Sequence, residues 1–490
     1  MNILLDTNII IDLNDLTKPL DPRLAQMQRL LDQLSYHIFL HPAQIDDFKR
    51  DTNEYRKAIN LSRVEQYNYI DTPPIPVESE LRRLNWTQNS DNDRIDNLLL
   101  YALLVGAIHI LVSNDNGLHR KAKRAGLQDR VHRLEQFIIF LETQSGKHFN
   151  IPLGIEEKMV YALKPQATFW DSLKREYSEF EAWFSKVAQA HRRAWCVCAT
   201  NGEPLAVCIY KTEDSPVVLD DGTRLYGKVL KLCTFKVDEC FRGRKLGERL
   251  LYTAFHYAFE NNYEYLYIQV HRQDHLIDLC YDFGFSLMGQ YQGDEVLVKR
   301  MTVPQVKAAD EVSALEFARL YYPHFRNSDK IRKFIVPIQP AYHEELFPDI
   351  SDDSEGLFAE QFILANPHSN TIKKAYVSHA RITKITSGDI LLFFRTRDRK
   401  SIQVIGIVEQ VLFSKELAET IALVSKRTVF SKQQLEKLLE KPILIILFRL
   451  MKYIAPISHK QFKNVNIKEP IQTIREISSE AYEVLQRGPR

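Results

Sequence analysis

Acidic residues follow two apolar segments that lie far apart in the sequence. Asp6 comes directly after residues 3–5 (ILL), and Asp115 comes two residues after residues 110–113 (ILVS). If both segments are parallel strands of one sheet, the two carboxylates meet beyond its carboxyl edge. Crowded carboxylates repel one another unless a divalent cation compensates them, and oxygen ligands favour Mg²⁺ or Mn²⁺. Such an ion activates water for phosphodiester hydrolysis.

Further acids fall in segments with a helical pattern. Asp93 and Asp96 lie three residues apart at the start of the helix predicted around 97–105, and they share a face if that helix begins before them. Asp47 falls in a helical segment after Pro42. An aspartate after a strand is also a common turn or helix-cap residue, and an N-cap alone explains Asp93. The acids therefore have two interpretations, a metal site and a set of caps.

The first 140 residues or so resemble PIN domains. The resemblance rests on LLDTNIIIDL, NDRIDNLLLYALLVGA and ILVSNDNGLHRKAKRAGL, in that order. It implies an α/β/α sandwich that cleaves RNA with Mg²⁺ or Mn²⁺. The implied catalytic acids are Asp6, Asp47, Asp93, Asp96 and Asp115, of which all but Asp93 are implied metal ligands. The family usually has glutamate at the position of Asp47, and aspartate is one methylene shorter.

A strand, a basic glycine-containing turn and a helix follow one another in LKLCTFKVDECFRGRKLGERLLYTAF. Gly243 and Gly247 allow a ligand to approach the backbone closely. Backbone N–H groups of the turn and the N-terminus of the helix predicted over 246–259 favour an anion. Three basic side chains add positive charge: Arg242, Arg244 and Lys245. The turn suits a pyrophosphate. A basic surface turn without a ligand is the alternative, whereas a Rossmann site is disfavoured because G-x-G-x-x-G is missing.

Residues 165–301 resemble GNAT-type N-acetyltransferases, whose acetyl-CoA motif is R-x-x-G-x-G/A. Arg242, Lys245 and Gly247 match this motif, with lysine in place of the first glycine. The resemblance implies acetyl-CoA as the cofactor. The implied cofactor-binding residues are Phe235, Val237, Arg242, Gly243, Arg244, Lys245, Leu246 and Gly247.

Tyr281, in LCYDFGF, is the general acid that the GNAT resemblance implies for the departing CoA thiolate. A core position is its alternative role. The attacking amine must be neutral, so a base or a water chain is needed. Asp238, Glu239 and His271 are the candidates, and an ordinary structural role is favoured for His271.

The segments KKAYVSHARITKITSGDILLFFRT and IQVIGIVEQVLF resemble PUA-like domains, including the ASCH and EVE groups. The resemblance implies a β-barrel that binds RNA or a modified base. Exposed aromatic and arginine side chains can stack on a nucleotide. The candidates for this contact are Phe394, Arg395, Arg397 and His379. In the alternative, the phenylalanines form the core and the charges are solvated.

The elements that must position these residues define a multidomain chain of α/β and α+β class. Its 490 residues, 45% hydrophobic and 26% charged, are typical of about three globular domains. The predicted ranges are a PIN-like domain over 1–148, a GNAT-like domain over 155–301, a linker with a helical segment over 302–360, a PUA-like domain over 361–458 and a polar extension over 459–490. A single amphipathic helix is predicted over 170–190, and the first domain boundary at 146–154.

Net charge and cysteine content restrict the mode of RNA binding and the cellular compartment. The formal charge is only +2, so RNA binding must depend on local patches. The six cysteines form no CxxC pair, which favours buried free thiols in a reducing cytoplasm over a zinc site. The longest apolar stretch, 98–112, is shorter than a membrane helix, and no secretory signal is visible, so no membrane association is predicted.

The leading functional hypothesis is a metal-dependent ribonuclease combined with an acetyltransferase that acts on RNA, aminoacyl-tRNA or protein. PIN and GNAT domains both occur in toxins of toxin–antitoxin pairs, which suggests an antitoxin protein as partner. PIN-type nucleases are often homodimers, although no interface stripe is visible here. One alternative is an acetyltransferase whose PIN and PUA-like domains only bind RNA. Another is an interaction scaffold in which both sites are inactive.

Overall fold

The computed structural model of the chain describes residues 1–15, 19–64, 67–145, 154–199, 201–213, 216–271, 276–303, 312–350, 371–427, 430, 432–465, 467–468 and 470–487. The chain divides into two compact units. The first comprises 1–147 and 414–442, and the second comprises 148–413 and 443–490. The predicted boundary at 146–154 lies almost wholly outside the described residues. Within the described ranges, no helix combines the length and apolar character needed to cross a bilayer.

The first unit is built on a five-stranded sheet. Its strands are β1 (Asn2–Leu5), β2 (His37–Leu40), β3 (Asn68–Tyr69), β4 (Ile110–Val112) and β5 (Val131–His132). The order is β3-β2-β1-β4-β5, and every neighbouring pair is parallel. Ile3, Leu4 and Leu5 are all buried. Because successive side chains point to opposite faces, both faces of the sheet are covered at β1.

Helices connect these strands, as expected where parallel strands need crossover connections. They are α1 (Thr7–Asn14), α2 (Pro22–Leu34), α3 (Gln44–Lys49), α4 (Glu54–Arg63), α5 (Glu78–Leu84), α6 (Asp91–Leu104), α7 (Asn116–Arg124) and α8 (Leu134–Gln144). The α/β class predicted for this region is confirmed, while the PIN-type sandwich stays a prediction.

The second unit begins with a lobe built on a seven-stranded sheet, here called the seven-stranded lobe (154–303). Its elements are β6 (Glu156–Met159), α9 (Asp171–Glu176), α10 (Phe180–Gln189), β7 (Arg193–Cys198), β8 (Pro204–Glu213), β9 (Val217–Val218), β10 (Arg224–Leu225), β11 (Val229–Val237), α11 (Leu246–Glu260), β12 (Tyr265–Val270), α12 (Leu276–Asp282), β13 (Ser286–Tyr291) and β14 (Asp294–Arg300). The order is β13-β14-β12-β11-β8-β7-β6, and β9 pairs with β10 separately. Among the described neighbouring pairs of this seven-stranded sheet, β11 with β12 is parallel and the others are antiparallel.

The single helix predicted over 170–190 is wrong. A 3₁₀ turn at Thr168–Trp170 leads into α9, and α10 begins only at Phe180. Tyr177, which ends α9, has extended backbone angles. Phe180 and Phe184 pack around Trp170 in one aromatic core, so tertiary packing overrides the continuous helical pattern.

The rest of the second unit forms the six-stranded lobe (312–413 and 443–487). Its elements are α13 (Ala314–Leu320), β15 (Lys333–Ile338), α14 (Pro340–Leu346), β16 (Lys373–Ser378), β17 (Ile390–Arg395), β18 (Ser401–Ser414), and then, after α15 (Leu417–Val424) and α16 (Lys432–Leu438) of the first unit, β19 (Ile443–Ser458), β20 (Arg475–Ile477) and α17 (Ser479–Arg487). The sheet order is β16-β19-β18-β17-β15-β20. The predicted PUA-like barrel stays a prediction.

Two of the predicted ranges contain strands that the sequence analysis did not predict. The linker predicted over 302–360 supplies β15, which pairs with β17 over its whole length. The polar extension predicted over 459–490 supplies β20, which pairs with β15 at Lys333–Ile335. Pro337 lies within β15, Pro340 follows it, and β20 has only three residues, so neither strand shows a strand pattern by itself. Pairing with partners distant in sequence makes them strands.

Residues 414–442 belong with the first unit, although the predicted PUA-like range contains them. Arg427 makes two hydrogen bonds to the carboxylate of Asp129, at 3.0 and 2.8 Å, and both residues are buried. Ser425 is hydrogen-bonded to His132 at 2.8 Å. These partners lie almost 300 positions away, so no local pattern could assign the segment to the first unit.

Candidate functional sites

The two predicted strand-end acids lie at the same edge of the five-stranded sheet. Asp6 is the N-cap of α1, and its side chain accepts hydrogen bonds from Thr7 N at 2.7 Å and Ser113 Oγ at 2.5 Å. Asp115 is the N-cap of α7 and accepts from Leu118 N at 2.7 Å. Because parallel neighbours end at one edge, the sequence places both correctly. Both acids also perform the capping role that was the alternative interpretation.

A lysine neutralises the two helix acids. The helix α6 begins at Asp91, so Asp93 and Asp96 share a face as predicted. The ammonium of Lys121 on α7 lies 2.7 Å from Asp93 Oδ1 and 3.2 Å from Asp96 Oδ2. Lys121 is itself buried. Sequence reasoning missed this lysine because α7 is rich in basic residues and nothing in their order shows which one faces α6.

Asp47 joins the cluster indirectly. Its Oδ2 accepts a hydrogen bond from the hydroxyl of Thr7 at 2.9 Å, which links α3 to the first turn of α1. Its Oδ1 forms an ion pair with Arg50, one turn along α3. The carboxylate therefore already has a cationic partner and a hydroxyl donor.

The acids influence one another electrostatically. Burial raises the pKa of Asp6 to about 7, and the charges of Asp96 and Asp115 also raise it, against the hydrogen bonds from Ser113 and Thr7. Burial raises the pKa of Asp96 to about 6, although Lys121 opposes this. The hydrogen bond from Lys121 lowers the pKa of Asp93. Oxygen donors of this kind suit Mg²⁺ or Mn²⁺. However, among the described residues no three His, Cys, Asp or Glu side chains are arranged to hold a metal ion.

In the seven-stranded sheet, the site lies where two strands stop pairing. Parallel pairing of β11 with β12 extends from Val229 to Leu232, whereas pairing of β11 with β8 continues to Val237. An irregularity between Leu232 and Thr234 marks the divergence. Within the described residues, the last part of β11 therefore has no strand partner on its β12 side. Its backbone groups on that side can bind a ligand.

The basic turn connects β11 to α11. A short 3₁₀ segment at Glu239–Phe241 precedes it, and Gly243 has φ 80°. Lys245 is the N-cap of α11 with φ 62°, in the left-handed region, and provides no side-chain cap. The predicted helix over 246–259 is thus correct to one residue. Lysine adopts the left-handed conformation at the motif position where the GNAT family has glycine.

The proposed cofactor residues of β11 lie beside this turn. A Cβ built on Gly247 would lie 3.6 Å from Phe235 Cε1 and 3.8 Å from Val237 Cγ2, so α11 packs directly on the unpaired part of β11. Arg242 lies 3.6 Å from Glu239, and the Arg244 guanidinium lies 5.1 Å from the centre of the Phe241 ring. The structure therefore brings together all eight predicted cofactor residues.

Tyr281 is half-buried on α12, and its backbone carbonyl accepts a hydrogen bond from Arg319. Gly284, with φ 83°, ends this segment at a point where any Cβ would overlap the carbonyl oxygen of Arg319. The glycine of the GF pair after α12 is therefore required by a close backbone approach. It fixes the C-terminal end of the helix that carries Tyr281.

The three candidate bases directly follow strands, Asp238 and Glu239 after β11 and His271 after β12. His271 and Glu239 are exposed, and Asp238 donates its backbone N–H to Leu205 O at 2.9 Å. Sequence reasoning also missed Glu213 at the end of β8, which accepts a hydrogen bond from Tyr267 at 2.8 Å. The signal available was an acid at the end of a long apolar strand.

Two of the four candidates in the six-stranded lobe are unavailable for stacking, which corrects the sequence prediction. Phe394 is buried, with its ring 5.4 Å from that of Phe462. Arg395 is also buried and forms ion pairs with Asp398 and with Glu344, the latter at 2.6 Å. Both faces of β17 are covered, so alternation does not expose either side chain. Arg397 and His379 are exposed.

The comparison with protein families identifies the seven-stranded lobe. The model of the acetyltransferase (GNAT) family matches residues 158–285, which include β11, the basic turn, α11 and Tyr281. This part of the chain is a GNAT-type acetyltransferase domain, and the prediction of such a domain is confirmed. No curated protein matches the sequence.

Solved structures show more distant likenesses. The ASCH protein of Zymomonas mobilis is 16% identical, with a TM-score of 0.25, over 32% of this chain and 94% of that one. The PaiA N-acetyltransferase of Thermoplasma acidophilum, solved with coenzyme A, is 13% identical, with a TM-score of 0.22, over 30% of this chain and 99% of that one. At such scores neither likeness supports a ligand or an activity for this chain.

Proposed function

We propose that the seven-stranded lobe transfers an acetyl group from acetyl-CoA to a primary amine. The observation that carries the proposal is the position of the basic turn beside the unpaired part of β11, within the range of the GNAT family match. A helix N-terminus without a side-chain cap leaves its first N–H groups for an anion. The pyrophosphate of the cofactor supplies that anion.

The residues have distinct roles in this proposal. Arg242, Arg244 and Lys245 would hold the pyrophosphate, with the backbone N–H groups of Leu246 and Gly247 as hydrogen-bond donors. The unpaired backbone of Phe235 and Val237 would hold the pantetheine arm through its free hydrogen-bonding groups.

Bound acetyl-CoA supplies the acetyl group as a thioester. The amine nitrogen forms a bond to the acetyl carbon while the bond to sulfur breaks. Tyr281 gives its hydroxyl proton to the leaving sulfur, and the proton of the amine passes to a carboxylate or to water. Asp238, Glu239 and His271 remain candidates for that last role.

The test measures thiol release from acetyl-CoA by the full chain, with aminoacylated tRNA, lysine-containing peptides and polyamines as separate acceptors. We expect Tyr281→Phe to lower kcat about 100-fold, with the KM for acetyl-CoA nearly unchanged, because only the general acid is lost. Tyr226→Phe is the control, since Tyr226 is exposed in the same lobe. A wild-type chain that neither binds coenzyme A nor acetylates any acceptor would refute the proposal.

A second candidate function is metal-dependent RNA cleavage by residues 1–148. It is supported by Asp6 and Asp96, whose pKa values are raised by burial and, to a smaller extent, by the nearby charge of Asp115. Their arrangement in the described residues is a carboxylate cluster neutralised by Lys121, and not a formed metal site. Cleavage with Mg²⁺ or Mn²⁺ therefore requires Lys121 to leave the cluster, with Asp47 as the fourth ligand after release from Arg50.

The nuclease is tested by incubating labelled RNA with Mn²⁺ and either wild type or Asp6→Asn. Cleavage that disappears in the variant and in chelator would establish it. If both proteins leave the RNA intact but bind it, the first unit and the six-stranded lobe are RNA-binding modules that direct the acetyltransferase. A toxin role, an antitoxin partner and a homodimer rest only on the family resemblances. A reducing cytoplasm fits the five free cysteines of the described residues.

A further inference from the structure

The start of strand β16 is bonded to the helix that follows the basic turn. The backbone N–H groups of Ile372 and Lys373 both donate to Oε1 of Glu248, at 2.5 and 3.2 Å. Glu248 lies in the first turn of α11, and its side chain is only 4% exposed. A carboxylate buried to this extent is costly unless hydrogen bonds satisfy it. The six-stranded lobe supplies the donors for a charge that belongs to the seven-stranded lobe.

The second oxygen of Glu248 faces the turn. Its Oε2 lies 3.7 Å from the ammonium of Lys245, whose φ is 62°. The left-handed conformation is energetically unfavourable for a residue other than glycine. Attraction to a buried carboxylate offsets part of this cost and holds Lys245 in place.

A further lysine also lies near this carboxylate. Lys374 on β16 is fully buried, and burial lowers its pKa to about 7, while the charges of Asp349 and Glu248 oppose this shift. Glu248 therefore contacts two backbone donors and Lys245, and its charge also acts on Lys374. These groups of the protein itself compensate the negative charge of Glu248 before any ligand binds.

The same strand end also contacts the helix of Tyr281. Lys373 Nζ lies 3.2 Å from the carboxylate of Asp282, the last residue of α12. Arg449, the register partner of Lys373 on β19, donates to the Asp282 carbonyl at 3.0 Å. The start of β16 thus contacts both helices of the proposed acetyl-transfer site, at the turn and beside the general acid.

We propose that Glu248 is a positioning residue of the acetyl-CoA site, and that through it strand β16 of the six-stranded lobe sets the affinity for the cofactor. This inference rests on the proposed acetyltransferase function. Glu248 acts through Lys245, whose backbone conformation directs the N–H groups of Leu246 and Gly247 toward the pyrophosphate. An acetyltransferase lobe separated from β16 would lose the donors that keep the Glu248 carboxylate in this position.

The direction in which one substitution changes the affinity for coenzyme A distinguishes a positioning role of Glu248 from simple electrostatic repulsion. A carboxylate near a pyrophosphate site repels the ligand, so removing its charge should tighten binding if repulsion is its main effect. If Glu248 instead holds Lys245 in place, removing the charge should weaken binding. Glu248→Gln tests this, because its side-chain oxygen can still accept from Ile372 and Lys373 while the ion pair with Lys245 is lost.

The experiment is calorimetric titration of the full chain with coenzyme A. We expect Glu248→Gln to raise the Kd about fivefold to tenfold, a change of about 1 kcal/mol. Glu260→Gln, at the exposed opposite end of α11, is the matched control and should leave the Kd unchanged. An unchanged or lower Kd for Glu248→Gln overturns the proposal.

Two further measurements extend the test. The first needs a folded Glu248→Gln variant, whereas the second uses only the wild type and keeps the proposal testable if that variant folds poorly. In a Lys245→Met background, Glu248→Gln should change the Kd less than about twofold, because the residue it acts through is gone. In the wild type, saturating coenzyme A should slow hydrogen exchange of the Ile372 and Lys373 amides, since coupling is reciprocal. The inference is contradicted if the effects of the two substitutions on the Kd are additive, or if coenzyme A leaves the exchange rates of the two amides unchanged. Failure of the wild type to bind coenzyme A would instead refute the proposed acetyltransferase function.

Discussion

The five-stranded and seven-stranded sheets build their polar sites in different ways. In the five-stranded sheet all neighbours are parallel, so Asp6 and Asp115 meet at one edge without any break in pairing. In the seven-stranded sheet the site lies where pairing stops, because β11 leaves β12 after Leu232. The first site consists of side chains, and the second consists largely of backbone.

The helix N-termini at the two sites also differ in whether a side chain caps them. Asp6 and Asp115 cap α1 and α7, so those helix starts are satisfied within the protein. The helix α11 begins at Leu246, and the side chain of its N-cap residue Lys245 provides no cap. A site of side chains can be neutralised by another side chain, as Lys121 does for Asp93 and Asp96. A helix start without a cap stays available to a ligand. This explains why the second site supports the stronger functional proposal.

The largest expected effect tests the backbone support of the second site. Gly284→Ala should lower the free energy of unfolding by about 3 kcal/mol or more, since the new Cβ meets the Arg319 carbonyl and the φ of 83° is strained. Gly222→Ala is the matched control, because Gly222 has φ 82° with no atom near the added Cβ. Thermal unfolding of both variants checks the difference. Equal losses would mean that the contact with Arg319 is unimportant.

Removing the lysine of the first site is expected to have the next largest effect. Lys121→Met should destabilise the first unit by about 2–3 kcal/mol, because it leaves Asp93 and Asp96 without a cation. The exposed Arg124→Met on the same helix is the control. Thermal unfolding with and without Mn²⁺ then sharpens the comparison. Recovery by Mn²⁺ in Lys121→Met would show that the cluster can become a metal site, and no recovery would leave it a structural cluster.

A third prediction concerns pH at the edge of the five-stranded sheet. Burial lowers the pKa of His41, directly after β2, to about 4. The folded protein keeps His41 neutral while the unfolded chain protonates near its ordinary pKa of about 6.5. The stability that this difference contributes is therefore full above about pH 6.5 and is lost as the pH falls toward 4.

In the wild type, His41 Nδ1 accepts a hydrogen bond from the backbone N–H of Ala43 at 3.1 Å. His41→Asn should keep an acceptor for this N–H and remove the pH dependence. Between about pH 7.5 and 4.5, the wild type should lose about 2 kcal/mol more unfolding free energy than the variant. Urea denaturation at both pH values measures this. Parallel losses in the two proteins would contradict the prediction.

The smallest expected effect concerns the left-handed lysine. Lys245→Gly should change the unfolding free energy by about 1 kcal/mol or less, because glycine adopts φ 62° without strain but gains chain entropy when unfolded and loses the ion pair with Glu248. Gln292→Gly, at φ 54° in the turn between β13 and β14, should have a similar effect. Only Lys245→Gly should weaken coenzyme A binding. Weaker binding in both variants would indicate a general effect on the lobe.

Local patterns predicted the elements that carry the chemistry better than those that complete the sheets. The helix after the basic turn was predicted over 246–259 and extends from Leu246 to Glu260. The strand-end acids were also placed correctly, since parallel topology follows from alternating strands and helices. The predicted linker with a helical segment and the predicted polar extension also contain strands that were not predicted, because β15 and β20 depend on pairing with each other and with β17.

The sequence by itself determined which residues could bind an anion or a cation, because residue type and spacing along one strand or helix are local properties. Tertiary structure decided their state. It placed Lys121 between Asp93 and Asp96, buried Phe394 and Arg395, and joined Glu248 to Ile372, 124 positions away. Such pairings are contacts between distant segments, and their energies depend on burial and distance, which no local pattern contains.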